Sequence, residues 1–208
     1  MKRVIRFAGM LLLVGVIAVS CTSKKPEKTI ESLKSAITGE TNASAKYQAF
    51  SLKAAEDGFL NIAKMFAAAS EAELIHVKNH NAVLVKMGEE VFNPVADTPE
   101  VSSTEDNIQT AIDGETYEFT VMYPEFISFA INENIDDAIK TFTWAKEAEK
   151  THALLYAQTL EILRTTESDE EVASVWYVCP KCGDLFDDIE ELDYCPICGV
   201  PSQSFLEY

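Results

Sequence analysis

The chain has 208 residues, and 47% of them are hydrophobic, so it can bury one full core and has room for a small second domain. Its formal net charge is −17, from 34 acidic and 17 basic side chains. Because contacts to phosphate groups need clustered lysine and arginine, this balance excludes a nucleic-acid partner. Part of the negative charge is available to bind cations.

Residues 1–20 have the layout of a secretory signal peptide. Three basic residues precede an apolar run over 7–19, which is shorter than the ~20 residues of a membrane-spanning helix. Small residues then lead into Cys21, as at the lipidation site of a bacterial lipoprotein. We therefore predict an exported protein that contacts the membrane only through a lipid on Cys21, in the periplasm or on the outer face of the membrane. An ordinary signal peptide beside an incidental cysteine is the alternative.

A polar tether over 21–29 leads into a region with helical periodicity, over 30–165. Four segments carry this periodicity: 29–58, 59–87, 104–134 and 135–164. The residues between the second and third segments include two prolines and form a long crossover. Two helix pairs joined by one crossover predict a mainly α protein, built on a ferritin-like four-helix bundle. Thr104 is the predicted N-cap of the third segment, and Pro124 predicts a kink within it.

Two of the three histidines follow a glutamate by three positions, in "AELIH" and "AEKTH". Residues three apart share one face of a helix, so Glu73 with His76, and Glu149 with His152, can each offer a carboxylate and an imidazole to one point. Plain helix-stabilising pairs on a solvated face, with core histidines, have the same spacing and are the alternative.

A lone glutamate precedes each pair by a nearly constant distance. Glu40 lies 33 residues before Glu73, and Glu115 lies 34 residues before Glu149. Since a helix that turns back after a short loop brings such positions level, the four carboxylates would meet at the centre of the bundle. Two divalent cations would offset their charge. The sequence therefore predicts a di-iron or di-manganese site with six ligands: Glu40, Glu73, His76, Glu115, Glu149 and His152.

One further carboxylate breaks the symmetry of the two halves. Glu118 follows Glu115 by three residues and shares its face, whereas the matching position of the first half is Ala43. Glu118 is therefore a seventh candidate ligand. His80 follows His76 by four residues but has no partner glutamate in the other half, so we interpret it as a core histidine.

Four of the five cysteines lie in a separate C-terminal domain, over 175–208, after an acidic linker over 166–174. They form "CPKCG" and "CPICG", with twelve residues between the pairs. Two Cys-x-x-Cys pairs at this spacing predict a tetrahedral thiolate site for iron or zinc. A pair of disulfides is the alternative in an exported protein. The predicted ligands are Cys179, Cys182, Cys195 and Cys198.

From residue 30 to residue 208 the chain resembles the rubrerythrin family. The resemblance rests on "GETNASAKY", "EAELIH", "GETYEFTVMYPEF", "EAEKTH", "WYVCPKCG" and "YCPICG". It implies a non-haem peroxidase that reduces hydrogen peroxide to water at two irons in the bundle, with electrons relayed through a rubredoxin-like Fe(Cys)4 centre. It also implies that His76 exchanges with Glu118 as the iron changes oxidation state, and that Tyr47 and Tyr123 support the ligands. A head-to-tail homodimer is expected.

The leader departs from the family pattern, because typical members are cytoplasmic and draw electrons from cytoplasmic reductases. The electron donor of this chain is therefore left unidentified. A ferroxidase or iron-handling protein and an envelope binding module with a zinc ribbon are the competing interpretations. Metal analysis separates them, since about three irons per chain supports the peroxidase and zinc at the cysteines supports the module.

Overall fold

The computed structural model describes residues 25–208 of the chain. The predicted signal peptide and Cys21 lie outside this range. Most of the described chain is helical: α1 is Glu27–Asp57, α2 is Leu60–Lys86, α3 is Thr104–Tyr117, α4 is Tyr123–Glu133 and α5 is Asp136–Thr166. No helix of residues 25–208 is long and apolar enough to cross a membrane.

The helix ends follow the local sequence. Gly58 ends α1 in a left-handed conformation, with φ of +92°, and leaves one residue before α2 begins. The N-cap of α3 is Ser103, whose hydroxyl accepts a hydrogen bond from the backbone N–H of Asp106. The prediction of Thr104 as the cap is wrong by one residue, because its hydroxyl instead donates to Asp57 at 2.7 Å and ties α3 to the end of α1.

A single turn of π-helix, Glu118–Met122, joins α3 to α4. Pro124 follows it as the second residue of α4. The third predicted helix is therefore one rod with a π-helical turn in its middle, and such turns are frequent at functional sites.

Two apolar clusters fill the bundle and leave a polar layer between them. One contains Tyr47, Phe50, Phe66 and Tyr156, and the other contains Leu33, Ile37, Tyr123 and Phe142. Along α1 the predicted site falls between these clusters, because Glu40 follows Ile37 of one cluster and precedes Ala43 of the other. The site is thus closed from both ends by packed side chains.

The C-terminal domain is a three-stranded antiparallel sheet with knuckle turns. Strand β1, Tyr177–Val178, lies between β2, Leu185–Phe186, and β3, Leu206–Glu207. A short 3₁₀-helix, Ser202–Ser204, precedes β3.

The segment predicted as a linker is attached to the bundle. The carboxylate of Asp169 accepts a 2.6 Å hydrogen bond from the backbone N–H of Asn61, at the start of α2. Val172 and Trp176 are buried in the same apolar cluster as the bundle residues around Tyr47. The small domain therefore packs along α2 and returns to the middle of the bundle.

Candidate metal centres

Four helices bring the predicted ligands together in the polar layer. Glu40 comes from α1, Glu73 and His76 from α2, Glu115 from α3, and Glu149 and His152 from α5; none is more than 2% exposed. Two groups of donor atoms each lie within 4.8 Å of one another. The first is Glu40, Glu73, His76 and Glu149, and the second is Glu73, Glu115, Glu149 and His152. Because Glu73 and Glu149 belong to both groups, they have the places of carboxylates that bridge two cations.

Several close contacts between the candidate ligand atoms are not hydrogen bonds. The Oε1 and Oε2 atoms of Glu149 lie 2.8 Å from Nδ1 of His76 and of His152 respectively. Neither oxygen has a hydrogen-bond partner, and the Nδ1 atom of His152 has none. Buried polar atoms normally have a partner, so these unpaired atoms are consistent with a cation bound at the centre of each group. The donor set, carboxylate oxygen with imidazole nitrogen, suits iron.

The outer nitrogens of both histidines are fixed by the cysteine domain. Nε2 of His76 lies 2.9 Å from the carbonyl oxygen of Cys182, and Nε2 of His152 lies 3.0 Å from that of Gly183. Since a carbonyl only accepts, each Nε2 carries a proton, and in the neutral form of the ring each Nδ1 presents its lone pair to the site. This orientation by a partner of the outer nitrogen is typical of histidines that bind metals.

Two buried tyrosines hold the lone glutamates. The Tyr47 hydroxyl donates to Oε1 of Glu115, and the Tyr123 hydroxyl donates to Oε1 of Glu40. Each tyrosine therefore lies in one half of the bundle and fixes the lone carboxylate of the other half. The supporting role that the family resemblance implies for both tyrosines stays a prediction.

Glu118 lies at the edge of this arrangement. It begins the π-helical turn, its carboxylate is buried, and its Oε2 atom has no hydrogen-bond partner. It belongs to neither group of donor atoms, whereas His76 belongs to the first. The structure thus has His76 turned into the site and Glu118 beside it.

Burial and neighbouring charges shift the pKa values of the side chains in the metal-free site. Burial raises the pKa of Glu40 and of Glu115 well above the usual value, and the neighbouring carboxylates raise it further. Burial opposes the charged form of His76 and of His152, but the nearby carboxylates of Glu149 and Glu73 outweigh it and raise the pKa of both rings. The two rings in turn outweigh the burial of Glu149 and lower its pKa to about 2.

The four C-terminal cysteines form a second centre. Their sulfur atoms lie within 4.8 Å of one another, and all four thiols are free. Sγ of Cys179 is 3.4 Å from Sγ of Cys198, and Sγ of Cys182 is 3.5 Å from Sγ of Cys195. These distances are too long for a disulfide and close to the ~3.8 Å edge of a tetrahedron with metal–sulfur bonds of ~2.3 Å.

The knuckle around the first cysteine pair touches the bundle site directly. Gly183 has φ of +81°, and a Cβ atom there would lie 2.4 Å from Nε2 of His76. Glycine is therefore required both by the backbone conformation and by the contact. Asn79 of α2 adds a 2.8 Å hydrogen bond from its side-chain amide to the carbonyl of Lys181.

A model of the Rubrerythrin family matches residues 31–160, which is more than half of the chain. The chain belongs to the rubrerythrin family. It is 37% identical over 180 residues to nigerythrin of Nitratidesulfovibrio vulgaris, covering 86% of each chain. It is 36% identical over 186 residues to rubrerythrin-2 of Clostridium acetobutylicum, covering 88% of this chain and 98% of that protein.

Solved structures agree with this assignment. The mixed-valence form of nigerythrin superposes with a TM-score of 0.78 at 37% identity, over 92% of this rubrerythrin and 91% of that chain. The fully reduced, all-ferrous form of nigerythrin gives a TM-score of 0.76 at the same identity and coverage. An open-pore ferritin of Archaeoglobus fulgidus, only 17% identical, gives 0.62 over 70% of this chain and 89% of that one, which shows the shared bundle fold.

The family, the mainly α ferritin-like bundle with its rubredoxin-like domain, and the cofactors are thereby confirmed. This rubrerythrin is a di-iron protein with a further iron at its four cysteines. The bundle residues that would hold the iron pair are the six that the structure brings together, with Glu118 beside them. The assignment of each side chain as a ligand stays a prediction.

Sequence reasoning missed three features of this rubrerythrin. One is the contact of Gly183 with His76, for which the only signal was the glycine that follows each cysteine pair. Another is the π-helical turn at Glu118. A third is His80, which is buried as expected of a core histidine but is hydrogen-bonded to Tyr123 and Thr141. Burial and the nearby His76 lower the pKa of His80 to about 3, so its ring is neutral.

Proposed function

We propose that this rubrerythrin is a non-haem peroxidase that reduces hydrogen peroxide to water and so protects against oxidative stress. The observation that carries the proposal is the contact between the cysteine loop and the bundle site, where the carbonyls of Cys182 and Gly183 accept hydrogen bonds from both site histidines. A ferroxidase or iron store would need no second redox centre at this place. A binding module would need no buried carboxylates.

The reaction consumes one peroxide, two electrons and two protons, and yields two waters. A bound pair of ferrous ions would supply the two electrons. Glu73 and Glu149, which belong to both groups of donor atoms, and the Nδ1 atoms of His76 and His152 would hold that pair. Tyr47 and Tyr123 keep the outer carboxylates of Glu115 and Glu40 oriented by donating to them. The apolar clusters above and below exclude bulk water.

His76 and Glu118 are suited to different oxidation states. A reduced pair carries a charge of +4, which four carboxylates balance, so a neutral imidazole suffices as the extra donor. An oxidised pair is more positive, and the anionic Glu118 is then the better donor. His76 points into the site with its outer nitrogen on the Cys182 carbonyl, and Glu118 lies beside it with an unpartnered oxygen. This is the arrangement proposed for the reduced protein.

Electrons are proposed to arrive through the cysteine centre of the same chain. The path from Cys182 to His76 is one hydrogen bond of 2.9 Å, within a single chain. In a head-to-tail homodimer, which the family resemblance implies, the relay could instead cross from one chain to the other. The dimer stays a prediction, and the contact within one chain supports a relay that needs no second chain.

The Cys198→Ser variant tests the division of labour. It should lose the iron at the cysteines and keep the iron pair of the bundle. Protein reduced chemically beforehand should still oxidise rapidly in stopped-flow mixing, with about one peroxide consumed per iron pair, because both electrons are already present. Steady-state turnover with an electron donor should be lost. Unchanged steady-state turnover would leave the cysteine domain as a structural zinc ribbon.

Mixed chains test where the relay runs. Cys198→Ser chains and Glu149→Ala chains each lack one half of the reaction. If the relay lies within a chain, mixing them restores no turnover. Restored turnover after refolding the two together would show that electrons cross between chains in a dimer.

We also propose that the protein is lipid-anchored at the cell envelope. Cys21 would carry the lipid, and it is the only membrane signal left after removal of residues 1–20. Full-length protein should fractionate with membranes, and the Cys21→Ser variant should not. Membrane association of the Cys21→Ser variant would refute the lipoprotein proposal.

A further inference from the structure

His80 belongs to a chain of hydrogen bonds that ends on a carboxylate of the iron site. Its Nε2 atom lies 3.1 Å from the hydroxyl oxygen of Tyr123, and that hydroxyl donates to Oε1 of Glu40. On its other side, Nδ1 of His80 lies 3.0 Å from the hydroxyl oxygen of Thr141, on α5. All four side chains are buried. Four helices thus contribute one member each to a continuous polar path through an apolar cluster.

The hydrogen bonds of this path have one consistent direction. Tyr123 gives its single proton to Glu40, so it can only accept from His80, and Nε2 of His80 must carry the proton. A neutral imidazole has one N–H, which leaves Nδ1 to accept from the Thr141 hydroxyl. Every member therefore donates toward the iron site.

The outer end of the path opens on a groove. Thr141 lines a cavity of about 210 Å³ between α2 and α5, together with Asn79, Lys86, Asp137, Lys140 and Trp144. The polar and charged side chains of this groove suit it to hold water. The ligands of the iron site are themselves 2% exposed or less, so protons have to reach them through the protein.

We propose that Thr141, His80 and Tyr123 conduct a proton from this groove to Glu40, which passes it to the oxygen released from peroxide. The inference rests on the proposed peroxidase function, because that reaction consumes two protons per turnover. It gives the third histidine of the chain a role in supplying protons rather than in binding metal.

The transfer can be written atom by atom. Thr141 gives its hydroxyl proton to Nδ1 of His80 and takes one from groove water. The proton on Nε2 moves to the Tyr123 oxygen, whose own proton moves to Glu40 and then to the leaving oxygen. The path is then reversed in direction. Rotation of both hydroxyls and a change of the His80 ring from its Nδ1–H to its Nε2–H tautomer restore it.

The first test is the position of the proton on His80, which does not depend on activity. Protein with ¹⁵N-labelled histidine and zinc at its metal sites is examined by NMR, and the His80→Phe variant identifies the signals. We expect a neutral ring with its proton on Nε2. A proton on Nδ1 would reverse the direction of the path and overturn the proposal.

The second test compares two threonines of the same helix. Thr141→Val removes the outer hydroxyl at nearly constant shape. Thr143→Val is the control, because the Thr143 hydroxyl only donates to the carbonyl of Ile139 in its own helix. In stopped-flow oxidation of the pre-reduced protein by peroxide, Thr141→Val should be slower by about tenfold with a changed solvent isotope effect, and Thr143→Val should match the unmodified chain.

The outcomes separate this proposal from the peroxidase function. If the unmodified chain is not oxidised by peroxide, the function fails and the proton path fails with it. If the unmodified chain reacts and Thr141→Val reacts as fast with the same isotope effect, the path alone is overturned. Iron content and thermal unfolding of each variant show whether a slow reaction comes from a damaged site.

Discussion

The Nε2 atom of His76 lies 2.9 Å from the carbonyl oxygen of Cys182, so a predicted iron ligand of the bundle touches the loop of the second metal centre. Two centres that could have been held apart by an acidic linker are in direct contact. The closeness depends on Gly183, the residue that follows Cys182, because any side chain there would meet the His76 ring.

Replacing this glycine should separate the two domains. Gly183→Ala adds a Cβ atom 2.4 Å from His76 and also strains a backbone with φ of +81°. Gly199→Ala is a matched control, since Gly199 occupies the same place in the second knuckle with φ of +70° and nothing within 4 Å of its Cβ position. Hydrogen exchange over 177–186 should be at least about tenfold faster in Gly183→Ala than in Gly199→Ala. Equal exchange would mean that the contact does not hold the domains together.

Removing a bridging carboxylate should cost both iron and stability. Glu73→Ala should lower the iron content from about three per chain toward one, because Glu73 belongs to both donor groups. A ligand that binds only the folded state stabilises it by linkage, so the melting temperature should fall by about 5–15 °C. Glu161→Ala, an exposed position of α5, is the control for iron analysis and calorimetry. Full iron content in Glu73→Ala would contradict the ligand assignment.

The sequence was sufficient to predict the bundle and its polar layer, because period and spacing alone bring Glu40 level with Glu73 and Glu115 level with Glu149. We did not predict the π-helical turn, although the spacing of two Glu–Tyr pairs in the sequence indicates it. Tyr47 follows Glu40 by seven residues, whereas Tyr123 follows Glu115 by eight. One extra residue in the turn keeps both tyrosines on the inner face.

The position of the small domain could not be predicted from local patterns. It depends on long-range contacts, such as the burial of Val172 and Trp176 in the apolar cluster around Tyr47 and the hydrogen bond that Asn61 donates to Asp169. An acidic composition suggested a free linker over 166–174, but the acidic Asp169 is used to cap a helix. Composition gives the average charge of such a segment, but it does not show which residue, here Asp169, contacts the bundle.

Replacing the buried Glu40 by glutamine should stabilise the metal-free protein at high pH. Burial raises the pKa of Glu40 above its value in the unfolded chain, so its contribution is fully present below pH ~4.3 and is lost as the pH rises through the folded pKa. The Glu40→Gln variant has no carboxylate at this position, so it does not lose this stability as the pH rises. The free energy of unfolding of the variant, relative to that of the unmodified chain, should therefore rise with pH, by at most ~1.4 kcal/mol per pH unit.

Urea unfolding of the chelated protein between pH 5 and 8 measures this difference. Glu161→Gln, exposed on α5, should show no dependence of the difference on pH. A relative stability of Glu40→Gln that falls as the pH rises would show that Glu40 is ionised and compensated in the metal-free site.

Glu118 should not be required for binding iron in the bundle, but it should be required for rapid oxidation by peroxide. It lies in neither group of close donor atoms, and His76 already completes the first group in the structure. Glu118→Ala should therefore keep two irons in the bundle, yet its oxidation by peroxide should be about tenfold slower or more, since no anionic donor compensates the rising charge. Glu125→Ala, an exposed glutamate of the adjoining α4, is the control. Iron analysis and stopped-flow oxidation on one preparation test this prediction. Loss of both irons in Glu118→Ala would show that Glu118 is an ordinary ligand. An unchanged oxidation rate would show that Glu118 has no part in the reaction.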